Sequence, residues 1–312
     1  MDTPKKIIDF MRWRGLAALL SAIILVASIA SLALQGLNLG LDFSGGTLLE
    51  LRYDRPADVQ QVRTQMLEQG LDSAVVVHFG SDKDIMVRLK DNLGQTRAEE
   101  LAAQLAQTAN AEVQLQRVEY VGPQIGEELR EDGGLGLVTA LLIVMVYVAL
   151  RFQYKFSIGA VVALFHDVLF TLGLFSLFQW QFDLTVLAAL LALIGYSLND
   201  TIVVFDRIRE NFRTLRDSSP TATINLSLTQ TLSRTLVTSL TTLLVLLVLF
   251  FYGGEMIHNF ALGLIIGVLV GTYSSVFVAT NVLLALKVAA IDLAPPEETN
   301  QDRDLQPEVP YS

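Results

Sequence analysis

The sequence predicts an α-helical membrane protein with six transmembrane helices, in a 1+5 arrangement, and an α+β domain exported between helices one and two. Three observations predict it. Apolar residues gather into runs near the roughly 20 residues that a helix needs to cross a bilayer. The long segment after the first run switches to the short alternating and helical periods of a folded water-facing domain. Lys and Arg cluster at one set of span ends, which is the pattern of cytoplasmic loops.

The runs lie at residues 15–34, 134–150, 157–178, 184–205, 232–252 and 260–286. Lys5, Lys6, Arg12 and Arg14 precede the first. A secretory signal shares that flank, but this run exceeds the roughly 7–15 residues of a signal core. Arg151 and Lys155 separate the second and third runs, Arg207, Arg209, Arg213 and Arg216 follow the fourth, and Lys287 follows the sixth. The connections 179–183 and 253–259 carry neither Lys nor Arg. Both termini are therefore expected in the cytoplasm and the long loop outside.

The elements of that loop follow in order. Residues 47–52 (TLLELR) alternate as a strand. Residues 57–69 place Val59, Val62, Met66 and Leu67 on one helical face. Strands at 74–80 and 84–89 are separated by the turn Ser81-Asp82-Lys83. Residues 96–108 are helical, with Leu101 and Leu105 one turn apart, and 112–118 form a last strand. The order β-α-β-β-α-β is that of a ferredoxin-like domain. The chain thus divides into 1–34 (N-terminus and first helix), 35–133 (outer domain), 134–290 (five-helix bundle) and 291–312, an acidic tail of disordered composition. Between the fourth and fifth runs, Ser218-Ser219-Pro220 breaks a polar segment, and 221–230 is expected to lie along the membrane surface.

Composition removes several function classes. Net charge is −10 without a large basic patch, which argues against nucleic-acid binding. Cysteine is absent, so disulfides, thiolate metal sites and a Cys nucleophile are excluded. His78, His166 and His258 are scattered and no HExxH occurs, so no metal site is expected. No Walker A or GxGxxG pattern is present, and no cofactor is expected. An ion gradient is then the plausible energy source.

The candidate residues are polar groups inside the spans. A carboxylate in hydrocarbon costs roughly 2.5–3.5 kcal/mol on insertion scales and marks proton or ion sites. Asp200 lies inside the fourth span, on a face continued by Ser197, Thr201 and Val204. Arg234 opens the fifth span at a similar depth, with Thr238, Thr241 and Thr242 on its face. Two readings stand for Arg234: a partner whose distance sets the proton affinity of Asp200, or a snorkelling anchor of the helix end. Asp167, beside His166 in the third span, is a relay or a hydrogen bond to a neighbouring helix. Asp206 adjoins Arg207 and Arg209 and is expected in a surface ion pair. Gly263, Gly267 and Gly271 form a GxxxG series suited to close helix packing. Gly45-Gly46 and Gly122-Pro123 flank the outer domain as hinges or tight turns.

Four motifs carry a family resemblance: GLDFSGGT from Gly40, VGPQIG from Val121, GYSLNDTIVVFDRIREN from Gly195 and TLSRT from Thr231. In this order the chain resembles the SecF family of the bacterial SecD–SecF protein-translocation complex, within the RND-type transporters. The resemblance implies a multi-pass protein of the bacterial plasma (inner) membrane with a periplasmic outer domain, not an enzyme. It implies SecD, the SecYEG channel and YajC as partners, an unfolded preprotein as substrate, and the proton gradient as drive. The family's proton-linked aspartate and arginine fall on Asp200 and Arg234. Three other readings compete. Half of a small-molecule RND exporter would carry a larger outer domain. An intramembrane aspartyl protease built on Asp167 and Asp200 lacks its GxGD pattern. A passive assembly subunit would move no protons.

Overall fold

The computed structural model describes residues 6–215 and 217–289. The expected tail at 291–312, Lys5 and Arg216 lie outside the described residues. A 3-10 turn, Phe10–Trp13, opens α1 (Arg14–Leu34). Then come β1 (Asn38–Leu39), α2 (Leu41–Ser44), β2 (Gly46–Tyr53), α3 (Val59–Glu68), β3 (Val75–Phe79), β4 (Ser81–Leu89), α4 (Gln95–Ala109) and β5 (Val113–Val121). The remainder is α5 (Pro123–Arg151), α6 (Tyr154–Phe178), β6 (Gln181–Phe182), α7 (Leu184–Thr214), α8 (Pro220–Tyr252) and α9 (Glu255–Ala285).

Among the described residues, six helices are long and apolar enough to span a membrane: α1 with its opening turn, α5, α6, α7, α8 and α9. Protein buries 56, 56 and 50% of the most apolar stretches of α6, α7 and α9, against 22, 11 and 17% for α1, α5 and α8. The former helices are therefore the centre of the bundle and the latter its rim. The GxxxG series explains part of this arrangement. A Cβ on Gly263 would lie 3.3 Å from Ala189, on Gly267 2.6 Å from Leu193, and on Gly271 3.1 Å from Ser197. Successive turns of α9 thus press directly onto successive turns of α7 within one chain, as small residues permit.

Several helices run past the expected spans. α5 starts at Pro123, where the ring suits the first helical position. Residues 221–230 do not form a surface segment: they are the first turns of α8. Thr223, Ile224, Ser227 and Leu228 are buried there, and Asn211 Nδ2 of α7 donates to Ser227 Oγ at 2.8 Å. Asn225 also holds the N-terminal turn, accepting from Met11 N at 3.0 Å.

The outer domain is a mixed α/β unit with a four-stranded sheet in the order β3-β4-β2-β5, all neighbours antiparallel. Asp58 caps α3, accepting from Gln60 N at 2.8 Å. α3 and α4 cover one sheet face, and Leu49, Leu51, Val62, Met66, Ile85, Leu101 and Leu105 form the core between them. Leu67 was expected on the inner face of α3, but it is 50% exposed; the helix turns it outward beside Glu68. The reversal between β3 and β4 falls at Gly80, with φ +73°, and Ser81-Asp82-Lys83 belongs to β4. A parallel pair that the periodicity did not foretell, β1 with β6, ties the start of the outer segment to the α6–α7 connection.

Candidate functional site

α6, α7 and α9 bring a polar cluster into the centre of the bundle. Asp167 of α6 is fully buried. Its Oδ2 accepts from Ser197 Oγ of α7 at 2.5 Å and from Ser274 Oγ of α9 at 2.7 Å. Its Oδ1 lies 3.0 Å from His166 Nδ1. One carboxyl group therefore bonds all three central helices. The His166 ring is buried between Phe170 and Tyr273, and its Nε2 has no hydrogen-bond partner.

Asp200 lies one turn beyond Ser197 on α7 and is 3% exposed. Its Oδ2 is buried with no hydrogen-bond partner. That is a costly arrangement, because a buried polar oxygen is normally satisfied. Arg234 of α8 does not satisfy it: no hydrogen bond or ion pair joins the two. Arg234 is exposed on the bundle rim. It lines a cavity of about 390 Å³ with Asn199, Asp206, Glu210 and Gln230. The hydroxyls of Thr238, Thr241 and Thr242 bond to carbonyls of their own helix, so they form no free polar track beside it.

The other sequence candidates separate from this centre. Asp206 pairs with Arg151 at 3.4 Å, both side chains 43% exposed, whereas Arg207 bonds Glu210 at 2.9 Å. Gly45, Gly46, Gly122 and Pro123 meet at the foot of the outer domain. A Cβ on Gly45 would lie 2.8 Å from Pro123 Cα, and one on Gly46 2.1 Å from the Leu89 carbonyl oxygen. A Cβ on Gly126 would in turn lie 2.8 Å from Gly45 N. Both chain crossings are thus one close-packed joint. Ser274 escaped the sequence reading; its only signal was the Ser274-Ser275 pair inside an apolar run. Among the described residues, no group of His, Asp or Glu is arranged to hold a metal ion.

A multi-pass helical membrane protein, with a water-facing α/β module and carboxylates in its bundle core, is the class that this fold and site define. Residues 100–289 match the family described as protein export membrane protein SecD/SecF, C-terminal, and residues 30–57 match the SecD/SecF GG motif. The protein translocase subunit SecF of Vibrio alginolyticus is 47% identical over 296 residues, covering 94% of each chain. That of Pseudomonas aeruginosa is 48% identical over 301 residues, covering 95% of this chain and 97% of its own. The chain belongs to the SecF family. The crystal structure of SecDF, a translocon-associated membrane protein from Thermus thermophilus, superposes with a TM-score of 0.84 at 36% identity over 92% of this chain. The chain spans 40% of the length of that solved protein. A super-membrane-facing form of SecDF superposes less closely, with a TM-score of 0.69.

Proposed function

We propose that this protein is a proton-driven accessory subunit of the Sec export machinery, with Asp200 as the proton-carrying group. Family membership makes it a subunit of that machinery and not an enzyme. The observation that carries the proton reading is the unpartnered buried oxygen of Asp200 in a membrane span. Such a group gains from binding a proton and from meeting a cation. α8 packs against α7, and a shift between them would carry the Arg234 cation toward Asp200. Asp167 holds the turn before Asp200 through Ser197.

The partner that we infer is SecD, which would complete the bundle over the rim face of α8 where Arg234 is exposed, beside the SecYEG channel and YajC. Both termini are assigned to the cytoplasm and residues 35–133 to the periplasmic side of the plasma membrane. The sheet order and the β-α-β-β-α-β succession support a ferredoxin-like class for the outer domain. Edge strand β3 exposes Val75 and Val77 at 44 and 43% and suits capture of an unfolded preprotein segment by strand addition. The Gly45–Pro123 joint would flex as one unit between the two halves.

The test is preprotein export into vesicles with an imposed proton gradient, at matched expression. Asp200→Asn keeps size and cannot ionise; it should assemble with the partner and lose gradient-dependent stimulation. Arg234→Met should fail likewise. Export by Asp200→Asn at the parent's level makes Asp200 a packing residue and ends the proposal.

A further inference from the structure

The outer domain is joined covalently to α1 and α5, yet the buried carboxylate Asp200 rides on α7. One arginine closes that gap. Arg88 sits on β4, within the outer sheet itself, paired in register with Leu48 and Val75. Its Nη1 donates to the Leu39 carbonyl at 3.0 Å and its Nη2 to Asn38 Oδ1 at 3.3 Å. Burial holds the pKa of this guanidinium below its ordinary value, and no carboxylate among the described residues offsets the cost. A desolvated cation persists only where it is well hydrogen-bonded, and here two neutral oxygens supply the bonds.

Those oxygens belong to β1, which among the described residues pairs only with β6. Asn38 Nδ2 donates to the Gln179 carbonyl at 2.8 Å, and Gly40 N donates to the Phe182 carbonyl at 2.8 Å. A Cβ on Gly40 would stand 2.9 Å from Asp183 Cβ, so β1 lies directly on the residue that caps α7. Asp183 Oδ1 accepts from Val186 N at 3.0 Å. The path from the sheet to the first turn of α7 is thus unbroken. Asp42 Oδ2 also accepts from Leu184 N at 3.1 Å, but Asp42 precedes the Gly45-Gly46 joint and does not belong to the sheet.

We propose that Arg88 is the positioning residue through which movement at the start of α7 reaches the outer sheet. The inference rests on the proton reading of Asp200 above. Bonds from a charged donor to neutral oxygens fit that role, because they hold the sheet in register with β1 without an ion pair that salt would screen.

The chain lacks cysteine, so spin labels at Glu68→Cys on α3 and Tyr252→Cys at the C-terminal end of α8 report the distance between the halves. A fluorophore at Glu210→Cys reports the other end of α7 in separate samples. The full chain is reconstituted with its partner half in vesicles. Arg88→Met should broaden the label-to-label distribution about twofold, on the scale of a released domain. Arg88→Lys and Asn38→Ala, which each leave part of the contact, should broaden it less. With a proton gradient imposed, Arg88→Met should keep the fluorescence change at position 210 and lose the distance change between 68 and 252. A parent-like distribution in Arg88→Met, or a distance change that survives in it, overturns the role. If Arg88→Met fails to fold, parent-like distributions in both milder variants overturn it instead. A parent chain without any change at 210 refutes the proton reading alone, and the distribution width still decides whether Arg88 docks the sheet.

Discussion

Ser197 Oγ donates to Asp167 Oδ2 at 2.5 Å, and Ser197 stands one helical turn before Asp200. The same oxygen accepts from Ser274 at 2.7 Å. Asp167 therefore fixes the turn of α7 that carries Asp200 and holds that turn to α6 and α9.

This knot predicts non-additive losses. Ser197→Ala or Ser274→Ala alone leaves Asp167 Oδ2 one donor. The double substitution leaves a buried oxygen bare, at about 1–3 kcal/mol. Thermal unfolding in detergent micelles should show the double variant losing more than the two single losses combined. Additive losses would mean that the two hydroxyls do not share one acceptor.

The joint at the foot of the outer domain should resist enlargement. Gly46 has φ +120° and faces the Leu89 carbonyl oxygen at 2.1 Å from any Cβ. Gly46→Ala should cost about 1–3 kcal/mol from backbone strain alone, before the clash. Gly126→Ala meets Gly45 N and should also destabilise. Gly134→Ala, on the same helix with nothing within 4 Å, should be neutral or gain up to about 1 kcal/mol. Protease protection of the outer domain separates these outcomes.

Asp206 should be nearly silent. Its pair with Arg151 is 43% exposed on both sides. Such surface pairs contribute about 1 kcal/mol or less and weaken with salt. Asp206→Asn should unfold within a degree or two of the parent chain, roughly the shift such an energy allows, and export normally. Loss of export in that variant would place part of the proposed proton site outside Asp200.

Acid should loosen the outer domain through Asp84. The hydrogen bond from Arg52 Nε at 2.7 Å is the main reason that its carboxyl lies below the ordinary 3.8. A depressed pKa means that the unfolded chain takes up the proton first, so the stabilisation exists above the ordinary value and vanishes as pH falls through the folded one. Asp84→Asn should be less stable at neutral pH and lose less on acidification. Glu50 has the opposite sign: burial, partly offset by Arg117, raises its pKa above 4.5. Its cost is present at neutral pH and is relieved as pH falls through the raised value, so Glu50→Gln should stabilise the domain near pH 7. Unfolding followed against pH by hydrogen exchange in β2 and β4 measures both.

The spans and the order of elements in the outer domain were legible because period and run length reflect burial along a single helix or strand. Leu101 and Leu105 face the core as their spacing required. The ends of the helices were less legible. Hydropathy reports where lipid begins, whereas α5 and α8 continue beyond it on backbone hydrogen bonds, a proline at the first turn and side-chain contacts such as Asn211 to Ser227. Leu67 failed for a related reason: a helical face is an arc, and a residue at its edge is turned outward by a small rotation.

The sequence by itself determined that carboxylates lie within the spans, that Gly263, Gly267 and Gly271 make one face narrow, and that a module of strands and helices is inserted after the first span. Only the tertiary structure decided which groups meet. Asp167 and Ser274 are 107 residues apart in the chain, and Arg88 and Leu39 are 49 apart. Asp200 and Arg234 were expected at a similar depth, and yet no hydrogen bond or ion pair joins them. Depth follows from position along one helix, but contact requires the rotation and spacing of two. Those are set by packing over whole helix faces, such as the glycine turns of α9 pressed onto α7.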